Sequence, residues 1–210
     1  MRLLPLFLLA LAARAEFLAG AAKAVITPDL KTYGPVYMAG FDHGRAATAV
    51  HDDLWARCVA MKAGARPTVI CEVDLIGLFY DDTQRVRAEI RKKHANADVV
   101  VASTHVHEGP DTMGQWGANR LTPGINDAYM AFLTGRIAEA GVAALDALRP
   151  AHATLAAVAP PELDDFIADD RPPIRHDAGL VVLALSDAAG KPIATVVNWA
   201  NHPETLGSRN

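Results

Sequence analysis

The chain has 210 residues, 51% of them hydrophobic and 21% charged, with 20 Lys and Arg against 24 Asp and Glu and only two cysteines. That apolar content excludes a disordered tail, two cysteines exclude a small disulfide scaffold, and a mild acidic surplus with scattered basic residues argues against nucleic-acid binding. One globular domain with a sizeable core is expected.

In chain order, Arg2 is followed by an apolar run at 3–13, and Ala13-Arg14-Ala15 supplies the small-x-small pattern read by signal peptidase. Residues 1–15 are therefore expected to be a cleaved signal peptide, which makes the chain from 16 to 210 secreted or periplasmic. The run is too short for a membrane span, which needs about 20 apolar residues, and no other stretch is long enough. Segment 17–27, closed by Pro28, predicts a first strand. Residues 29–53 are rich in turn residues and show neither the helical nor the strand period. Apolar runs at 54–61 and 68–74, joined by Ala63-Gly64-Ala65-Arg66-Pro67, predict a hairpin. Cys58 and Cys71 fall near-opposite on it. Cross-strand neighbours fit disulfide geometry poorly, so two buried thiols are expected.

Further along, 81–95 carries Asp81-Asp82 at its start and Arg91-Lys92-Lys93 near its end, the charge order that suits a helix dipole. The β-branched run 98–103 predicts a buried strand. A long loop follows at 105–124, then the longest helical pattern, 125–148, with Tyr129, Phe132, Leu133, Ile137 and Val142 making an apolar stripe. Strands are predicted at 151–159, 179–185 and 192–199, with a Pro- and Asp-rich loop at 160–175. Helices and strands alternate in the middle and strands close the end. The fold class is therefore α/β, a mixed β-sheet with flanking helices.

The sharpest local feature is Thr104-His105-Val106-His107-Glu108-Gly109-Pro110-Asp111, where a buried strand gives way to a loop. Strand ends feeding loops are common seats of α/β sites, because the sheet fixes the backbone while the loop exposes the side chains. His202, in Asn201-His202-Pro203-Glu204, also ends a predicted strand, and two histidines at two strand ends of one sheet can converge on one ion. Neutral imidazole favours Zn2+, with copper, iron and nickel left open. His51, in His51-Asp52-Asp53, either reaches a site or solvates the entry to a strand. Asp74 either orients a ligand histidine from behind or caps the following segment. Arg171 and Arg175 either bind an anionic or carbonyl oxygen or pair with the nearby aspartates, among them Asp164 and Asp169. The chain has no Gly-x-Ser-x-Gly elbow, phosphate loop or dinucleotide fingerprint, which removes serine hydrolases and nucleotide-dependent enzymes.

Taken in order, six segments resemble the neutral/alkaline non-lysosomal ceramidases, zinc-dependent amidases that hydrolyse N-acylsphingosine. They are Gly20-Ala21-Ala22-Lys23-Ala24-Val25-Ile26-Thr27, Met38-Ala39-Gly40-Phe41, Val50-His51-Asp52-Asp53-Leu54-Trp55-Ala56-Arg57, Val73-Asp74-Leu75-Ile76-Gly77, Ala102-Ser103-Thr104-His105-Val106-His107-Glu108-Gly109-Pro110 and Asn198-Trp199-Ala200-Asn201-His202-Pro203. The fifth is similar to the family's Ala-Thr-His-Thr-His-Ser-Gly-Pro. The resemblance implies that His105 and His202 are zinc ligands, that His107 acts beside the metal, that Arg171 contacts substrate, and that the substrate is a lipid-like amide, ceramide or another N-acyl amine. Two departures stand out. Glu108 replaces the family's serine, and Asp111-Thr112 replaces its Gly-Gly. The family's other two ligands, a glutamate and a tyrosine, lie downstream of the second histidine, so residues 16–210 are expected to be the amino-terminal part of a catalytic domain, truncated at its carboxyl end. The alternatives are a barrel-type metal-dependent amidohydrolase, which needs about 250 residues, and a catalytically inactive extracellular binding module on the same scaffold.

Overall fold

The computed structural model describes residues 16–167, 169, 171–204, 206 and 207. The expected signal peptide, residues 1–15, lies outside the described residues. Seven strands form one sheet: β1 Phe17–Val25, β2 Trp55–Ala63, β3 Pro67–Val73, β4 Asp98–Ser103, β5 Arg149–Val158, β6 Leu180–Asp187 and β7 Pro192–Trp199. Their order across the sheet is β4-β3-β2-β1-β5-β6-β7. Only β3 and β4 run parallel, joined by the crossover helix α2, Tyr80–Lys93; every other pairing is antiparallel. The structure therefore has the α/β class and the mixed sheet that the alternation of elements indicates.

The core lies on one face of the first four strands. Alternation places Ala56, Cys58 and Ala60 of β2 and Val69, Cys71 and Val73 of β3 on the same side, all buried. Against them pack Val86 and Ile90 of α2 and Leu133, Ile137 and Ala144 of α3, Asp127–Asp146. Small residues set the spacing. A Cβ at Gly141 of α3 would lie 2.6 Å from Ile90 Cδ1 of α2, so the glycine lets Ile90 fill the space between the two helices without a shift of its side chain. Tyr129 is wholly buried, and its hydroxyl donates to the Ile26 carbonyl (2.8 Å), which ties α3 to the end of β1. The sheet beyond β1 is barely covered by the described residues. β5 is exposed along nearly its whole length, and Leu155, Val158 and Val197 face solvent.

Three local features depart from the sequence reading. Cys58 and Cys71 are not free thiols but a disulfide. They are directly opposed in the β2–β3 register, point to the same face, and sit on a pair narrow enough to bring their Cα atoms within 4.0 Å. The turn-rich stretch holds a one-turn helix, α1, Leu30–Tyr33, whose first amides are capped by Asp29 Oδ1, at 2.8 Å from Lys31 N and 3.0 Å from Thr32 N. The Pro/Asp loop holds a 3-10 helix, Pro161–Phe166. Asp81 and Asp82 do fall in the first turn of α2, with Phe79 at the N-cap position.

Candidate metal centre

The crossover from β3 through α2 to β4 brings the ends of these two parallel strands side by side. Beyond β4 the chain keeps pairing with the segment after β3: Thr104 N donates to Val73 O and His105 N to Leu75 O, both at 3.0 Å. His105 then adopts φ 64°, the left-handed region that side chains other than glycine rarely enter. Such a conformation costs on the order of 1–3 kcal/mol and persists where the surroundings over-determine it. Here they do. The Nδ1–H of His105 donates to the Ile76 carbonyl at 2.7 Å, which commits the proton to Nδ1 and leaves the lone pair on Nε2.

Two residues on, His107 is 5% exposed. Phe41 packs edge-on against its ring, with centroids 5.0 Å apart, and Gly40 lies beneath it. A Cβ at position 40 would fall 2.4 Å from His107 Cγ, and Gly40 has φ 98°, so both space and backbone require glycine there. The segment carrying these residues is knitted to the histidine loop by Ala39 N to Gly109 O (2.9 Å) and Asp111 N to Tyr37 O (2.7 Å). Behind Phe41 stands Arg45, its guanidinium 5.1 Å from the ring and Nη2 3.4 Å from Glu108 Oε2. Burial pushes the Glu108 carboxyl above its ordinary range, and the Arg45 charge partly offsets this.

β7 delivers the third imidazole. His202 Nε2 lies 3.1 Å from His107 Nε2, and the His202 ring stacks on that of His105 with centroids 4.9 Å apart. The three histidines offer ligand atoms that all lie within 4.8 Å of one another. Burial lowers the pKa of His107; Glu204 opposes that shift, while His202, His105 and Arg45 add to it. A lowered pKa keeps the ring neutral near pH 7, the form that binds metals. The donor set fits a borderline-soft divalent ion such as zinc: converging imidazoles, one of them desolvated and one with its Nδ1 committed to a backbone carbonyl.

The remaining sequence-predicted residues lie elsewhere. The side chain of His51 is 97% exposed and bonds Asp52 (2.7 Å), so it solvates the approach to β2. Asp74 accepts from Trp55 N at 2.9 Å and from Arg57 Nη1 at 2.8 Å, which fixes the start of β2 rather than a histidine. Arg171 is 94% exposed, with Asp169 3.9 Å from its Nε, and the backbone amides of Arg171 and Arg175 both donate to the Asp169 carboxylate. Of the two side chains Arg171's stands near an aspartate, Arg175 meets the same carboxylate through its backbone amide, and neither belongs to the histidine group. Conversely, Gly40, Phe41, Arg45 and Asp111 shape the site although sequence reasoning assigned them no role in it. Buried Asp111 accepts from the amides of Met113 (3.0 Å), Gly114 (2.8 Å), Trp116 (2.8 Å) and Gly124 (3.1 Å), and so organises the loop that follows the histidines. A cleft of about 890 Å³ runs beside that loop, lined in part by Leu30, Val36, Met38, Leu54, Val106 and Glu108.

No family model matches the chain, and no curated protein matches it. Solved structures do. Neutral ceramidase from Pseudomonas aeruginosa superposes with a TM-score of 0.74 at 20% identity, over 93% of this chain and 33% of that one. A structure described as ceramidase complexed with C2 matches equally well, with a TM-score of 0.74 at 21% identity and the same coverage. The chain thus has the fold of part of a neutral ceramidase and spans about a third of the length of these neighbours.

Proposed function

We propose that the chain is part of a zinc-dependent hydrolase of the neutral ceramidase type, which cleaves the amide bond of N-acylsphingosine or a related N-acyl amine and acts after export. The observation that carries this reading is the convergence of His105, His107 and His202 from two separate strand ends, on a fold shared with ceramidases. His105 and His202, whose rings stack side by side and offer ligand atoms within 4.8 Å, would hold the ion. Zinc bound there would supply Lewis acidity, lowering the pKa of water toward neutrality and polarising the amide carbonyl.

The chain's own residues do the rest. His107, desolvated and neutral, has its Nε2 beside His202 and can accept a proton from the attacking water and return it to the leaving amine. Phe41 and Gly40 hold that ring in place. In the neighbouring cleft Leu30, Val36, Met38 and Leu54 suit a hydrocarbon chain, and the Arg45–Glu108 pair is one of the polar elements in its wall, with Asp52 and Asp53, against which a substrate headgroup would be discriminated. Arg171 is retained as a substrate contact of the longer protein. Among the described residues no helix is long and apolar enough to cross a membrane. The test is amide hydrolysis on ceramide against short N-acyl amines, with and without a chelator. Chelator-sensitive release of fatty acid from ceramide supports the reading, and chelator-insensitive cleavage, or none by the zinc-loaded protein, contradicts it.

A further inference from the structure

Resting on the metal reading above, we infer that Glu204 is the positioning residue of the histidine group, one carboxylate serving two imidazoles from behind. Its Oε1 lies 3.1 Å from His107 Nδ1 and its Oε2 lies 3.7 Å from His202 Nδ1. Among the described residues His107 Nδ1 is buried with no hydrogen-bond partner, and the Glu204 oxygen is the charged group beside it. The Glu204 side chain is 43% exposed and so sits at the edge of the group rather than inside it.

The chemistry of imidazole makes this placement consequential. A neutral ring carries one proton, and an oxygen acceptor at Nδ1 keeps it there, so that Nε2 presents the lone pair. His105 obtains this from the Ile76 carbonyl. For His107 the oxygen within reach of Nδ1 is Glu204 Oε1 at 3.1 Å, while the other Glu204 oxygen stands 3.7 Å from His202 Nδ1, beyond hydrogen-bond length, and the two Nε2 atoms lie 3.1 Å apart. The same geometry argues that Glu204 is not itself a ligand, since its oxygens sit on the Nδ1 side of His107, away from the nitrogens that converge. A carboxylate there also places a negative charge behind a cation held by neutral rings. Carboxylates behind ligand histidines typically change metal affinity by about 10–100-fold when removed.

The experiment is a zinc titration against a competing chelator on the wild-type protein, Glu204→Ala and Glu204→Gln, with the cobalt-substituted spectrum and the 15N shifts of the histidine rings as further readouts. The expected result is an unchanged stoichiometry, an affinity about 10–100-fold lower in both variants, an unchanged cobalt spectrum, and loss of the Nδ1-protonated preference of His107. Gln is isosteric with Glu, so it keeps the test valid if the alanine variant folds poorly. Affinity and tautomer both unchanged in the variants would overturn the inference, and so would an altered cobalt spectrum, which would make Glu204 a direct ligand. Wild-type protein that takes up no zinc would overturn the metal reading itself, an outcome distinct from either.

Discussion

His105 shows how much a single backbone angle can carry. Its left-handed φ turns the chain off the end of β4, and the Ile76 carbonyl then selects the tautomer. Asp111 does comparable work for the loop beyond. Four amides point at one buried carboxylate, and removing it leaves the buried amide of Gly124 unpaired, at about 1–3 kcal/mol, with three part-buried amides that water can reach at smaller cost. Asp111→Ala is therefore expected to lower unfolding free energy by about 1–3 kcal/mol in denaturant melts. Glu72 supplies a test by pH. Burial, aided by repulsion from Asp74 and opposed by Arg57, raises its carboxyl pKa. The folded state thus holds that proton more tightly than the unfolded chain does, so the penalty for ionising Glu72 is absent below the unfolded pKa and grows as pH rises through the folded one. Glu72→Gln is expected to stabilise the protein at pH 7 and to bring no gain at pH values below the ordinary glutamate pKa, as read from thermal melts across that range.

At the scale of elements, the hairpin of β2 and β3 is braced twice, by its register and by Cys58–Cys71. The bridged cysteines are 13 residues apart, and closing a loop of that size is worth about 3 kcal/mol in the chain-entropy account. The Cys58→Ala, Cys71→Ala double variant is expected to unfold at lower denaturant concentration by roughly that free energy. Addition of reductant after unfolding should bring the wild-type protein to the same midpoint, and identical midpoints without reductant would show that the bridge contributes nothing. Strands β4 and β7 were legible residue for residue because β-branched runs between turn residues leave little choice of boundary. α1 was not, since a single turn is too short to display a helical period, and its signal is the local cap at Asp29. The cysteines suggested thiols because their separation depends on the width of one strand pair, which no local pattern encodes.

For the whole molecule, the histidines were legible as candidates because each follows a predicted strand, but β4 and β7 are the two edges of the sheet, and the histidines meet because the β5–β7 part turns back so that β7 also contacts β1. What surrounds them was not. Gly40, Phe41 and Arg45 sit in a stretch without periodicity, and they reach His107 because residues 37–39 hydrogen-bond to 109–111, seventy or more positions away. Arg171 and His51 have exposed side chains outside the histidine group, and His51 lies at the rim of the neighbouring cleft. A three-histidine cluster on a ceramidase-like sheet is the center of the account, and metal content tests it most directly. Purified protein equilibrated with zinc and freed of excess should retain one ion per chain by elemental analysis, and His105→Ala and His202→Ala should each bring that close to zero while leaving the far-UV circular dichroism intact. Folded variants that retain the wild-type zinc content would contradict it.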